Sequence, residues 1–144
     1  MGRPVEAEPL YRDAIAIEEK AHGRKHPNVA TARHNLAVVL RDAGRYDEAE
    51  PLLREAVTIW STTLGPDHAL LARGQRNLAV LLLATSRAEE ALAAAQAAFH
   101  VHERKLARDH SWRIDSALTY ADALMALGRH ADAAALRARY GATA

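Results

Sequence analysis

The sequence predicts an all-α fold of stacked antiparallel helix pairs, and three observations support this prediction. Alanine supplies 33 of the 144 residues, whereas aromatic residues make up only 5%. Such a composition suits closely packed helices better than a sheet sandwich, whose strands favour β-branched and aromatic residues. Apolar residues recur at three- and four-residue spacing, which is typical of a helix with one buried face. Finally, the chain repeats itself without gaps at an interval of 42 residues.

The repeat is visible at many positions. The turn dipeptide Gly-Arg at 2–3 returns as Gly44-Arg45, Ser86-Arg87 and Gly128-Arg129. The other matching sets are Ala7/Ala49/Ala91/Ala133, Ala14/Ala56/Ala98, His26/His68/His110, Leu36/Leu78/Tyr120, Ala37/Ala79/Ala121 and Leu40/Leu82/Leu124. Because the register holds along the whole chain, each repeat is one structural unit that stacks on its neighbours.

Each repeat contains two helical patterns. Pro27 suits a first helical position, and Gly44 suits a left-handed helix end. Asp67 offers a side-chain cap, while Pro51 requires its helix to start late or to bend. The patterns predict helices at 4–22, 27–43, 46–64, 68–85, 87–106, 110–127 and 129–140.

The matching alanines lie where two helices should cross. Two antiparallel helices joined by a short turn approach closely only if small side chains stand at the crossing. Ala37 and Ala49 flank such a turn, and Ala56 is placed to meet the next pair. We expect these alanines to be buried between helices.

These residues resemble the tetratricopeptide repeat, in the 42-residue form of kinesin light chain and its many bacterial relatives. The segments GRYDEAEPL at 44–52 and LGPDH at 64–68 match that form closely. The resemblance covers essentially the whole chain. The resemblance implies a right-handed α-solenoid that extends as one array over 1–144. It would hold a lone second helix at 4–22 and repeats at 27–64, 68–106 and 110–140.

Departures from the pattern gather in the third copy of the 42-residue register, which begins at Ser86. Ser86 replaces the turn glycine, Ala88 replaces the aromatic Tyr46, and Thr119 stands where Asn35 and Asn77 precede it. A left-handed conformation at Ser86 would cost on the order of 1 kcal/mol. The final helix carries Arg137 where an apolar residue would face a following repeat, so we expect a solvent-facing terminal helix there.

The first helix has no predicted neighbour on its outer side. Its position in the repeat makes 4–22 the second helix of a pair, so Tyr11, Ile15 and Ile17 should be partly uncovered. Two explanations remain open: the chain is a piece of a longer protein, or another chain covers this edge.

The resemblance implies a peptide-binding groove lined by the first helices of successive pairs. The expected lining residues are Thr31, His34, Asn35, Val38 and Arg41, then Arg73, Arg76, Asn77, Val80 and Leu83, and then Asp115, Leu118, Thr119, Asp122 and Met125.

The chemistry of these side chains suggests a ligand. The asparagines can hydrogen-bond a peptide backbone, and guanidinium groups suit a carboxylate. We expect a protein or peptide ligand with an acidic or C-terminal carboxylate segment, and with a basic residue toward Asp115 and Asp122. The alternative for all these positions is an ordinary solvated helix face.

Composition disfavours several other classes of function. The net charge is +1 and the sequence has no basic block, which disfavours nucleic-acid binding. The sequence contains no cysteine, so it has no disulfide or thiolate site. The first ten residues lack the apolar core of a signal peptide, and we find no apolar run long enough for a membrane span. We therefore expect a cytoplasmic protein.

The eight histidines do not form a metal-binding pattern. His26, His68 and His110 each precede a predicted helix, so we expect them to cap or pack. His100 and His102 should point to different faces of one helix, and His22 and His26 flank a loop. No nucleophile, phosphate loop or carboxylate pair stands out, so we expect no enzyme, no cofactor and no metal. Trp60 and Trp112 are interpreted as inter-helix filler or, alternatively, as exposed contacts.

Two functions from different classes follow. The first is a non-catalytic module that binds a partner's peptide in its groove. The second is a self-assembly or scaffold module that pairs through residues 4–22. A homo-oligomer is one form that such an assembly would take.

Overall fold

The structure is a computed structural model that describes residues 3–141. These residues form seven α-helices and no strand. The helices are α1 (Arg3–His22), α2 (Pro27–Asp42), α3 (Tyr46–Leu64), α4 (Ala69–Ala84), α5 (Ala88–Lys105), α6 (Ser111–Ala126) and α7 (His130–Arg139). Each end lies within one residue of the position that the sequence predicted, which confirms the all-α fold.

Histidine caps the first helix of each pair. The Nδ1 atom of His26 accepts the backbone N–H of Asn28 at 3.0 Å. His68 and His110 accept the N–H groups of Leu70 and Trp112 in the same way, each at 3.1 Å. These bonds satisfy a donor that the start of a helix otherwise leaves unpaired. The capping role of the three histidines is confirmed.

Asp67 was predicted as the cap of α4, and that prediction is wrong. His68 occupies the capping position. The carboxylate of Asp67 instead accepts a hydrogen bond from Arg104 at 2.6 Å. An imidazole one residue closer to the helix can reach its first-turn N–H groups, so the carboxylate is left to pair with a side chain.

The turns between paired helices share one backbone design. After α2, the N–H of Arg45 donates to the Leu40 carbonyl at 2.8 Å, and Gly44 has φ +80°. The turns at Ser86 and Gly128 repeat these bonds, and Ser86 has φ +62°. This Schellman pattern satisfies the last helical carbonyls and needs a left-handed residue. Ser86 therefore adopts the strained conformation that the sequence predicted.

Helix α3 begins at Tyr46 and runs through Pro51. The expected alternative of a late helix start is therefore wrong. Proline lacks an N–H, so the carbonyl four residues earlier, at Asp47, has no helical donor. Both Asp47 and Pro51 are exposed, which leaves that carbonyl on the water-facing side.

The chain divides into an N-terminal unit, Met1–Pro66, and a C-terminal unit, Asp67–Ala144. In the N-terminal unit α2 packs against both α1 and α3. Leu36, Leu40 and Leu53 are fully or almost fully buried, and so are Ala37 and Ala49 beside the turn. The predicted small residues therefore lie where two helices approach.

Arginine side chains connect α1 to the rest of the N-terminal unit. Arg33 of α2 is 6% exposed and pairs with Glu19 of α1 and with Glu55 of α3, the latter at 2.5 Å. Arg45 pairs with Glu8 of α1 at 2.5 Å and with Glu48 at 2.6 Å. Hydrogen bonding to the Arg45 guanidinium holds the pKa of both carboxyl groups below its usual range. Among the residues of α1 with described side chains none is fully buried, and these ion pairs add to the packing of half-buried Tyr11 and Ile15 in this helix.

In the C-terminal unit α5 packs against α4 and α6, while α6 also packs against α7 and α4. An apolar cluster joins α5, α6 and α7 around Phe99, whose ring lies 5.9 Å from Tyr120 and 6.0 Å from Tyr140. Arg113 donates to the Tyr140 hydroxyl at 2.9 Å and thereby fixes the end of α7. Aromatic packing of this kind stabilises a core beyond simple area burial.

The final helix also differs from expectation at one residue. Arg137 was expected to face solvent, but its side chain is only 23% exposed and pairs with Asp122 of α6. The long guanidinium side chain folds back over the neighbouring helix rather than extending into water.

Candidate functional site

Helices α4 and α6 lie side by side in the C-terminal unit, and Arg76 connects them. Its Nε donates to the Thr119 hydroxyl at 2.9 Å, and its Nη1 donates to the Asn77 side-chain oxygen at 3.1 Å. Asn77 and Thr119 are only 2% and 3% exposed. The two buried polar side chains therefore orient the arginine and offer little surface of their own.

Arg73 lies one helical turn before Arg76 on α4. Its guanidinium carbon is 4.7 Å from the centre of the Trp112 ring at the start of α6. A cation over an aromatic face is attracted to the ring and loses part of its rotational freedom. Arg73 and Arg76 are both half-buried. Contacts with α6 thus hold two guanidinium groups of α4 in defined positions.

A buried histidine lies beneath this region. His102 of α5 is 1% exposed; its Nδ1 is 2.6 Å from the Ser116 hydroxyl and its Nε2 is 2.9 Å from the Ala69 carbonyl. A carbonyl can only accept, so Nε2 carries the proton and Nδ1 accepts from the serine. Burial lowers the pKa of His102, although hydrogen bonding to backbone opposes this shift. His102 thus joins α4, α5 and α6 as a neutral side chain.

No structural role for His102 was predicted from the sequence. Its position in the repeat is occupied by Glu18 and Trp60 in the other copies. Because this histidine replaces unrelated residue types at one position of the repeat, the sequence could have suggested that it makes a hydrogen bond found only in this repeat. The expectation that His100 and His102 face different directions is consistent with their burial, since His100 is exposed.

The other residues predicted on α4 and α6 are distributed more widely. Val80, Leu83 and Asp115 are half-buried, whereas Asp122 is exposed and pairs with Arg137 of α7. Trp112 is half-buried under Arg73, so it is neither fully buried filler nor a fully exposed contact.

The predicted residues of the N-terminal unit lie along α2. Asn35 and Thr31 are exposed, and the Thr31 hydroxyl donates to the Pro27 carbonyl at 3.2 Å. His34 is 6% exposed, and its ring lies 5.3 Å from the fully buried Trp60.

Val38 and Arg41 of the same helix are half-buried, and Arg41 pairs with Asp42 at 3.0 Å. Among the residues predicted on α2, Thr31 and Asn35 therefore offer the most surface. Their role in ligand binding stays a prediction.

Two general properties of the described residues bear on function. No helix in the part of the chain that the structure describes has the length and apolar character needed to cross a membrane. Within residues 3–141 no three histidine or acidic side chains come together as a possible metal site.

Comparison with known proteins identifies a family. A tetratricopeptide repeat family model matches residues 1–60 and 29–99. No curated protein matches the chain. One similar solved structure is a variant of a Podosopora anserina protein, named for kinesin light chain, with nearly identical tetratricopeptide-like repeats. It has a TM-score of 0.87 and 28% identity, over 96% of this chain and 66% of that one.

A second similar structure supports the fold alone. It is BtubC from P. vanneervenii, with a TM-score of 0.86 and 21% identity, over 97% of this chain and 56% of that one. The chain thus spans less than two thirds of the length of either protein.

Proposed function

The chain belongs to the tetratricopeptide repeat family, whose members generally mediate protein–protein interaction, and we propose that it is a non-catalytic module that binds a peptide segment of a partner. The binding residues would lie on the first helices of the pairs, which are α4 and α6 in the C-terminal unit and α2 in the N-terminal unit. The C-terminal unit is the stronger candidate, because contacts between α4 and α6 hold its predicted binding side chains in place.

The arrangement of Arg73 and Arg76 carries this proposal. Both guanidinium groups lie on α4, and contacts with Trp112 and Thr119 of α6 hold them in place. Fixing a rotamer-rich side chain before binding reduces the entropy lost when a ligand arrives. Guanidinium donors suit carboxylate oxygens in both charge and geometry. Val80 and Leu83 would add apolar contact on the same helix.

This chemistry favours an acidic or C-terminal carboxylate segment near α4. Asp115 on α6 is half-buried and would meet a basic residue of the ligand. Asp122 already pairs with Arg137, so it is the weaker candidate of the two aspartates. On α2, Asn35 would hold peptide backbone, because an exposed amide can both donate and accept.

The test is a peptide-array screen followed by affinity measurement with the peptides selected. In an Arg73→Gln/Arg76→Gln variant we expect acidic peptides to bind at least about tenfold more weakly, with a smaller dependence on salt. Arg104→Gln is the matched control, since it removes an exposed arginine of α5 in the same unit. Unchanged binding in the double variant would refute the site.

The asparagines require separate variants. Asn35→Ala should weaken peptide binding generally, whatever the side chains of the peptide. Asn77→Ala should act through Arg76, because Asn77 is buried against that side chain. Peptides that bind an Asn35→Ala/Asn77→Ala variant normally would argue against both roles.

A second function is supported by α1. Leu10 is 72% exposed and Ile17 is 65% exposed, compared with 40% for Met125, the other large apolar side chain that is exposed among the described residues. We propose that α1 assembles with another copy or domain. Light scattering over a range of concentrations, for the wild type and an Ile17→Lys variant, tests self-assembly. A monomer at every concentration would exclude the homo-oligomer.

A further inference from the structure

The N-terminal unit contains a pocket whose lining is mostly cationic. The pocket lies between the α1–α2 loop at 23–26, helix α2 and helix α3, and its volume is about 420 Å³. Four of its seven lining residues carry positive charge, and these are Arg24, Lys25, Arg33 and Arg54. Only Glu55 among the seven is acidic. This basic pocket therefore offers an environment suited to an anion.

The basic pocket is separate from the residues predicted to bind a peptide. Thr31 and Asn35 of α2 are each two residues away from Arg33, and two residues turn a helix by about 200°. Arg33 therefore points to the opposite side of α2 from both of them. None of the residues that line the pocket belongs to the predicted groove.

Positive charge at this place is specific to one repeat. Lys25 stands where the later loops between pairs carry Asp67 and Asp109. Arg33 stands where the later repeats have glutamine and alanine. The repeat folds without these cations in its other copies, so its framework does not require them.

The acidic group of the pocket is already balanced. Arg33 is 6% exposed, and its Nη1 donates to Glu55 at 2.5 Å. Arg24 and Lys25, by contrast, are exposed, and within residues 3–141 neither forms an ion pair. The positive charges of these two side chains therefore have no counter-charge at the pocket.

These donors suit a group with two negative charges and several oxygens. A phosphoryl group carries a charge of about −1.5 to −2 at neutral pH and has three acceptor oxygens. Arg24 brings a planar fork of N–H donors, and Lys25 brings an ammonium group. The Thr58 hydroxyl donates to the Arg54 carbonyl at 2.9 Å, so the cations supply the binding donors. A carboxylate has one charge and two oxygens and would satisfy fewer of these donors.

From these observations we infer that the basic pocket binds the phosphoryl group of a phosphorylated peptide. Arg24 and Lys25 would contact the phosphoryl oxygens, while Arg33 keeps the Glu55 carboxylate neutralised. Inorganic phosphate has the same chemistry, but a peptide adds contact with the part of the pocket wall formed by Thr58 and Ile59. This site does not depend on the groove proposed above.

The probes are an alanine–glycine pentapeptide with phosphoserine at its centre, the same peptide with glutamate there, and inorganic phosphate. Binding to the full chain is followed by NMR through the backbone amides of Arg24 and Lys25, at constant ionic strength. We expect saturable shifts with the phosphopeptide and weaker binding of phosphate. The glutamate peptide should bind at least about tenfold more weakly, because it loses a charge and an acceptor oxygen.

Lys25→Asp is the main variant, and it introduces the residue that the later loops carry naturally. It should bind the phosphopeptide at least about tenfold more weakly, because an attractive charge becomes a repulsive one. Lys105→Asp is the matched control, since it makes the same change in net charge at an exposed lysine at the end of α5. It should bind like the wild type, and so should Arg73→Gln/Arg76→Gln.

The possible failures are distinguishable. The inference is overturned if neither phosphorylated ligand gives saturable shifts, or if Lys25→Asp binds like the wild type. An equal loss in Lys105→Asp would show that net charge alone attracts the ligand, which also overturns it. Equal binding of the glutamate peptide would overturn the preference for a phosphoryl group. A loss confined to Arg73→Gln/Arg76→Gln would place the phosphopeptide in the groove, so the pocket would be wrong while the proposed function stands.

Discussion

Arg33 and Ala117 occupy the same position of the repeat in different parts of the molecule. Arg33 bridges Glu19 and Glu55 in the N-terminal unit, whereas Ala117 is buried in the apolar cluster around Phe99 in the C-terminal unit. The repeat therefore tolerates either charge or hydrocarbon where helices meet. The consequences differ, because ion pairs are screened by salt and apolar burial is not.

The largest effect on stability is expected from a change in the apolar cluster around Phe99. Phe99→Ala should lower the free energy of unfolding by about 3–4 kcal/mol, since it leaves a cavity beside Tyr120 and Tyr140. Urea unfolding followed by circular dichroism measures this loss. His100→Ala, at the exposed neighbouring position, should change stability by less than about 0.5 kcal/mol. A loss below about 1 kcal/mol for Phe99→Ala would mean that the cluster does not hold α5, α6 and α7 together.

A smaller loss of stability is expected from breaking the ion pairs of Arg33. Arg33→Gln introduces the residue found naturally at Gln75, the same position of the next repeat. We expect a loss of about 1–2 kcal/mol, reduced from that of a buried pair because Glu55 is half-exposed. The loss should shrink in about 1 M salt. Arg54→Gln breaks an exposed i,i+4 pair with Glu50 within one helix and should cost about 0.5 kcal/mol or less.

Hydrogen exchange shows which helices the ion pairs of Arg33 stabilise. In the Arg33→Gln variant, amides of α1 should exchange faster, while those of α5 and α6 keep their protection. Equal acceleration in both units would contradict the assignment of Arg33 to the attachment of α1.

Titration of His102 should make the stability of the C-terminal unit depend on pH. Burial lowers the pKa of this histidine, so the unfolded chain binds a proton more readily than the folded one. The stability that neutral His102 contributes is therefore fully present above pH 6.5, the ordinary pKa of histidine. It is lost as the pH falls through the lowered pKa of His102 in the folded chain. Arg73 and His110 oppose protonation of His102 electrostatically.

The matched variant is His102→Gln, whose amide can donate to Ala69 and accept from Ser116. Its stability should depend less on pH, so the wild type should lose its advantage as pH falls. Urea unfolding at several pH values measures this difference. A constant difference between the two proteins would show that His102 does not titrate with unfolding.

The smallest effect concerns the turns, where the repeats ought to be equivalent. Ser86→Gly should raise stability by about 0.5–1 kcal/mol, because Ser86 holds φ +62° and glycine adopts that region without a Cβ penalty. Gly44→Ala should do the reverse, and nothing lies within 4 Å of the added Cβ, so the loss comes from the backbone alone. Thermal unfolding compares both variants; a loss in Ser86→Gly would contradict the strain at this turn.

Local signals explain why the helices could be predicted. Pro27, Gly44 and the capping histidines act within a few residues of themselves, so a single sequence contains what is needed to place helix ends. The fold class followed from these signals together with the 42-residue register, which also placed Ile17 on an uncovered face.

Residues whose role depends on a neighbouring helix were harder to predict. Asn77 and Thr119 were expected to face a ligand, yet Arg76 lies between them, and a helical pattern does not report which side chain covers which. Leu10 was missed for a related reason: exposure depends on what packs beside a helix. The buried bonds of His102 join three helices and leave no periodic signal.

The histidine caps have a spectroscopic consequence. Since Nδ1 of His26, His68 and His110 accepts a backbone N–H, the neutral ring must carry its proton on Nε2. The two ring nitrogens of each histidine are thus chemically distinct while its helix start is intact, and they become a mixture of tautomers once it opens. Nitrogen NMR of only three side chains would therefore follow the opening of α2, α4 and α6 separately.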